Sequence, residues 1–265
     1  LSRADENISL ERLGRVAVVT LHRPPVNALD DAMIRQFSAM LDGLAADEDL
    51  TVLHLRSAQK SFCAGADLAV MRSCFDDPDG TETMVKVITR MQWMFEHLEN
   101  LPLVTLAEIG GAALGGGLEL ALACDLRVAA LEAKLGLPET ALGLVPGAGG
   151  TQRLTRLCGR NVAKRLIFGA ETIDGAEAER LGLVQWARPG AELAAWTREL
   201  AARIAASPQA ALVLAKDCIA AQGDPERDGY AEEIAASRRL YHHPETRRRV
   251  SEFLNRKAKA SKEIS

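Results

Sequence analysis

Two glutamates stand out by their surroundings. From Ile109 to Cys124 the chain reads IGGAALGGGLELALAC, and Glu119 is the single charged residue. From Leu135 to Thr151 it reads LGLPETALGLVPGAGGT, and Glu139 is alone in the same way. A lone carboxylate in a segment that favours burial is costly unless it is bonded or protonated. Two of them in one apolar pocket would titrate as a pair, which suits one base and one acid. Gly115, Gly116 and Gly117 precede a run, Leu118 to Ala123, that is apolar on every face and predicts a short buried helix. The glycines then lie at its N-terminus, where amide N–H groups lack partners and the dipole favours negative charge. Glu119 follows Gly116 by less than one helical turn, so a free donor and a carboxylate face nearly the same volume. Those are the parts of an oxyanion hole beside an acid/base residue. A solvent-facing Glu119 conflicts with its apolar neighbours. Taken alone, Glu139 after Pro138 reads equally well as the start of a helix.

The elements around these residues follow from periodicity. Residues 15–21 are apolar and β-branched and predict a buried strand, which Pro24 and Pro25 end. Asp30 is placed as an N-cap, followed by Ala32, Met33, Phe37, Met40, Leu41 and Leu44 at helical spacing. Further strands are expected at 50–55, 103–107 and 126–129, and a helix at about 81–98. After about residue 150 the pattern is mostly helical. Alternating strands and helices imply an α/β architecture with parallel pairing. The expected organisation is a core over 1–188 and a helical C-terminal region over 189–265, rich in Ala, Leu, Arg and Glu.

Composition narrows the function classes. With 265 residues, 48% hydrophobic and 26% charged, the chain reads as globular rather than disordered. The net charge of −4 disfavours a generally basic nucleic-acid binder. No apolar run reaches the roughly 18–20 residues of a membrane helix, and Leu1 to Arg12 has no signal-peptide core. Cytoplasmic localisation is the expectation. Five cysteines, odd in number and without a CxxC pair, argue against disulfides and against a zinc site. Familiar motifs fail: Gly147 to Gln152 lacks the last glycine of a dinucleotide fingerprint, no P-loop lysine is present, and there is no GxSxG or HExxH. Asp76 to Gly80 reads as a solvated turn rather than a calcium loop, and the adjacent His242 and His243 do not project together as a metal pair. No metal is expected.

The chain resembles the enoyl-CoA hydratase/isomerase (crotonase) family. The resemblance is carried by His22-Arg23-Pro24 with Asn27-Ala28-Leu29, by Ser61 to Leu68, by Ala113 to Glu119, and by Pro138-Glu139 with Pro146 to Leu154. It covers Arg15 to about Gly182, more weakly the rest. It implies a crotonase-like α/β spiral of ββα units with a helical C-terminal trimerisation region, and a homotrimer or dimer of trimers. It implies an enoyl-CoA hydratase, with an isomerase or another acyl-CoA-processing activity as the alternative. A non-catalytic RNA-binding protein is the more distant rival.

By position, the resemblance makes Ala66 and Gly116 the oxyanion-hole amides, Glu119 and Glu139 the catalytic acid/base pair, and Gly147 a water-positioning residue. It places coenzyme A and substrate contacts at Arg23, Ala64, Asp67, Leu68, Phe253 and Lys257, with Arg256 nearby. Coenzyme A would be part of the substrate, with no separate cofactor, no nucleic acid and no membrane as partner. Ala69 stands where many hydratases carry a lysine, so a cationic contact to the phosphates is either missing there or supplied by Lys60 or Arg23. Met71, Met84, Ile88, Met91 and Met94 are candidate linings of an acyl pocket.

Overall fold

The computed structural model describes residues 7–263, with side chains through 256. Two strands open the chain, β1 (Ile8–Leu13) and β2 (Val16–Leu21), followed by helix α1 (Asp31–Ala45). Strand β3 (Val52–Ser57) leads into α2 (Leu68–Ser73) and the long α3 (Gly80–Glu99). Then β4 (Val104–Ile109), β5 (Ala113–Leu114) and α4 (Gly116–Leu122) form one strand–strand–helix unit. Strands β6 (Leu126–Ala130) and β7 (Lys134–Gly136), a 3₁₀ turn over Pro138–Leu142 and α5 (Gly150–Phe168) form the next. The chain continues through β8 (Thr172–Asp174), α6 (Gly175–Arg180), β9 (Trp186–Arg188) and α7 (Gly190–Ala205). It closes with α8 (Gln209–Ala221), α9 (Gly229–His242) and α10 (Pro244–Glu263).

The repeated units sort their strands between two sheets. The large sheet has the order β1-β2-β3-β4-β6-β9, parallel except for β1 against β2. The small sheet has the order β5-β7-β8. Thus β4 and β6 lie side by side in one sheet, and their followers β5 and β7 pair in the other. That alternation winds the chain into a spiral. Central strands are buried on both faces, which is why β2, β3, β4 and β6 read as nearly continuous apolar runs.

Helices α1 and α3 pack against each other. Asp30 caps α1 by accepting from the Met33 amide at 2.8 Å. Met33, Ile34, Phe37, Leu41 and Leu44 are buried on one face of α1, and Val87, Met91, Met94, Phe95 and Leu98 on one face of α3. Helix α4 is buried along its whole length, as its all-apolar pattern required.

The chain divides into two compact units, between Ile204 and Ala205. That boundary is later than residue 188. Helix α7 stays with the first unit because Leu193, Leu200 and Ala201 are buried and Trp196 packs on Trp186 of β9 at 5.2 Å. The second unit, α8 to α10, is helical throughout. Strands β8 and β9 depart from the mostly helical reading after residue 150; at three residues each they carry no periodic signal. No single helix among the described residues is long and apolar enough to cross a membrane.

Candidate active site

Two loops meet to present a pair of main-chain donors. The segment 61–67 is held by Asn27, which is fully buried and donates through Nδ2 to Ser57 Oγ at 2.7 Å and to the Phe62 carbonyl at 2.9 Å. Isolated parallel bridges then join Leu29 to Ala66 and Cys63 to Ala113. In the first, the Leu29 amide donates to Gly65 and the Asp67 amide to Leu29. The Ala66 amide lies between those bonds and donates to no protein acceptor among the described residues. Gly116, the first residue of α4, is likewise free at its N–H. The loops touch at Gly65, whose φ is +91°; a Cβ there would lie 2.9 Å from both the Gly116 nitrogen and the Leu114 oxygen. Only glycine satisfies that backbone and that approach. A Cβ built on Gly116 would lie 3.5 Å from the Ala66 nitrogen, so the two donors face one small volume. Cys63 lies beside this volume, but burial pushes its thiol up to about 12, which removes it as a nucleophile.

The glutamates border the same volume. Glu119 is 2% exposed. Its Oε1 accepts from the Ala148 amide at 2.8 Å and the Gly150 amide at 2.7 Å. Gly150 begins α5, so the carboxylate sits at that helix's positive end. A Cβ on Gly150 would stand 2.9 Å from Oε1, so glycine is what lets the amide reach the carboxylate. Glu119 Oε2 has no protein partner among the described residues. Glu139 reaches the site from the 3₁₀ turn: its Oε1 lies 3.0 Å from where a Gly115 Cβ would be, and its Oε2 is buried without a hydrogen-bond partner. Burial pushes the Glu119 carboxyl up to about 7; the Gly150 amide opposes this and the Glu139 charge adds to it. Burial likewise raises Glu139.

The remaining candidates fall into distinct groups. A Cβ built on Gly147 would lie 3.1 Å from Ile88, and the Gly147 carbonyl accepts from Gln92, so the residue borders the site from the loop before α5. Met91 Cε approaches Gly116; Met94 is deep in the core, and Met71 and Met84 are half-buried. Ile88 and Met91 are therefore the lining residues that the structure brings to the site. Ala64 is exposed, and its carbonyl accepts from no described residue. Arg23 is committed elsewhere, to Asp30 at 3.0 Å, to Asp67 at 2.9 Å and to the Ala28 carbonyl. Asp67 caps α2 through the Ala69 amide at 3.0 Å. Burial would raise Asp67, but Arg23 and that amide outweigh it and hold the carboxyl below its usual range. Arg23 and Asp67 thus brace the loop that offers Ala66. Leu68 is exposed beside them, as is Lys60, which forms no ion pair among the described residues. Phe253 and Arg256 are exposed on α10 in the second unit, and the Lys257 side chain lies outside the described residues.

Sequence reasoning did not find the donors on Glu119, nor Gln92 and Arg153 behind them. The one available signal for Arg153 was its position as the first cation after the Gly147 to Gly150 loop.

A paired main-chain donor set beside one buried and one half-buried carboxylate suits an enzyme that polarises a carbonyl and moves protons next to it. A family model described as enoyl-CoA hydratase/isomerase matches residues 11–261, and the chain belongs to that family. It is 43% identical over 196 residues to a probable enoyl-CoA hydratase of Bacillus subtilis (strain 168), covering 73% of this chain and 74% of that protein. It is 39% identical over 215 residues to the short-chain-enoyl-CoA hydratase of Clostridium acetobutylicum, covering 80% of each. Among solved structures, an enoyl-CoA hydratase from Bacillus anthracis aligns with a TM-score of 0.88 at 35% identity, covering 95% of this chain and 97% of the other. The fold is accordingly the crotonase-type α/β spiral with a helical C-terminal region.

Proposed function

We infer that this chain is an enoyl-CoA hydratase, adding water across the 2,3 double bond of a 2-enoyl-CoA thioester to give a 3-hydroxyacyl-CoA. The observation that carries this reading is the pair of glutamates, Glu119 buried and Glu139 half-buried, beside the two free main-chain amides of Ala66 and Gly116. The thioester oxygen accepts from the Ala66 and Gly116 amides. Electron density moves toward that oxygen, so C3 becomes electrophilic and the enolate is stabilised as it forms. Water is held between Glu119 Oε2, which has no protein partner among the described residues, and Glu139 Oε2, which is buried without one. Glu119 takes one proton from water as its oxygen bonds to C3. Glu139, protonated, gives its proton to C2 as the enolate collapses. One water is consumed and the two carboxyls exchange protonation states, which later proton exchange resets.

Coenzyme A enters as part of the substrate. The free Ala64 carbonyl suits the adenine amino group, and Lys60 is the available cation for the phosphates. The exposed Phe253 and Arg256, with Lys257, suit a CoA held by a neighbouring copy. The second unit exposes Ile219, Tyr230, Ile234 and Tyr241, which fits a homotrimer or dimer of trimers. Cytoplasmic localisation accords with an acyl-CoA substrate.

A panel of 2-enoyl-CoA thioesters of different chain length tests the reading. Loss of conjugated absorbance with a 3-hydroxyacyl-CoA product is expected. A shifted alkene as the main product would make the chain an isomerase.

A further inference from the structure

The loop from Gly147 to Gly150 is held from outside the pocket. Its Gly147 carbonyl accepts from Gln92 Nε2 at 2.6 Å, and its Ala148 carbonyl accepts from Arg153 Nη1 at 3.1 Å. Arg153 is nearly buried in the first turn of α5, and its Nε and Nη2 both donate to Glu99 Oε2, at 2.9 and 2.7 Å. Gln92 and Glu99 are two turns apart on α3, so one face of a single long helix carries both anchors. The same helix sets Ile88 against Gly147 and Met91 against Gly116. On its other side, the peptide that Gln92 holds by the Gly147 carbonyl presents the Ala148 amide to Glu119 Oε1, and the peptide that Arg153 holds by the Ala148 carbonyl leads into Gly149 and Gly150, whose amide is the second donor.

We propose that Glu99, Arg153 and Gln92 are positioning residues for Glu119. Anchored on α3, they fix the 147–150 loop so that its two amides stay on Oε1 and leave Oε2 for the reacting water. The proposal rests on the hydratase reading, in which Glu119 moves the proton of water. The Arg153 to Glu99 contact is a charge-assisted fork held by a nearly buried guanidinium, which is stiffer than an exposed ion pair. The ionised groups that act on Glu119 are Glu139 from the 3₁₀ turn and Arg153 from α5. Glu99 adds a negative charge behind Arg153.

That arrangement lets geometry and charge be separated. Removing the Glu99 charge would, through charge alone, favour ionised Glu119 and move the acid limb of the rate profile to lower pH. Loosened amides do the opposite. In the full chain, Glu99→Ala is expected to lower kcat on the order of 10- to 100-fold, with KM changed less than about threefold, and to move the acid limb of kcat to higher pH. Gln92→Ala changes no charge and shifts kcat and the limb in the same direction by a smaller factor. Glu99→Gln keeps an acceptor for Arg153 and recovers most of the rate. Unchanged kcat and limb in both alanine variants, or a change confined to the thermal midpoint, would overturn the proposal. If the wild-type chain does not hydrate enoyl-CoA, the hydratase reading fails but the clamp stays testable by carbon-13 NMR titration of the Glu119 carboxyl. An upward shift in Glu99→Ala then supports the clamp, and no shift or a downward one overturns it.

Discussion

Glu119 is held at a cost to stability. Its folded value of about 7 lies above the ordinary 4.5. Between those values the native chain retains a proton that the unfolded chain has lost, so this group's contribution to stability falls as pH rises through that window. Glu119→Gln keeps the size and an acceptor for the Ala148 and Gly150 amides while removing the ionisation. The variant should therefore unfold at higher temperature than wild type at pH 8, by up to about 3 kcal/mol of stability, with little difference at pH 4. Thermal scans at the two pH values check this. The same ionisation predicts that hydration by wild type falls as pH drops below about 7, because the base is then protonated. Lys60 makes a separate prediction. Lys60→Ala should raise KM for a CoA thioester by roughly 3- to 10-fold, as expected for one exposed cation near phosphates, with kcat unchanged. Steady-state kinetics at low salt read it.

At the scale of elements, the site depends on two loops packed backbone to backbone. Gly65→Ala puts a methyl group 2.9 Å from the Gly116 nitrogen at a φ of +91°. The loops must separate, so stability should drop by about 1–3 kcal/mol and kcat by about 10²- to 10³-fold. Denaturant melts and hydration rates together test that expectation. The long elements were legible because each buries a continuous face: β2, β3, β4 and β6 as apolar runs, α1 and α3 by helical spacing. Strands β5, β7, β8 and β9 span two or three residues, too few for a period to show. Strand β1 alternates charged and apolar residues on an edge, where Leu10 and Leu13 are half exposed, so it lacked the signature of a buried strand. Glu119 was legible from its isolation in an apolar helix. Glu139 needed the family resemblance, because a helix start explained it equally well and the structure indeed puts it in a 3₁₀ turn. The donors on Glu119 were hidden because they come from residues 148 and 150, far along the chain, and not from the glycines of its own helix.

At the scale of the whole molecule, the spiral explains why residues so distant in sequence share a pocket. The units β4–β5–α4 and β6–β7–α5 each send their first strand to the large sheet and their second to the small one, and the turns after those second strands gather at the site. The second unit exposes large apolar side chains that a monomer would leave in water. Light scattering after size exclusion should give a mass of three or six chains, and a stable monomer would contradict the proposed assembly. The central claim is that Glu119 and Glu139 act on one water as a unit. The hydration rates of Glu119→Gln, Glu139→Gln and the double variant, measured with the same short 2-enoyl-CoA, test it most directly. The account predicts that each single change lowers kcat by orders of magnitude and that the double change costs little more than the worse single one. A single variant that hydrates at a near wild-type rate would contradict it.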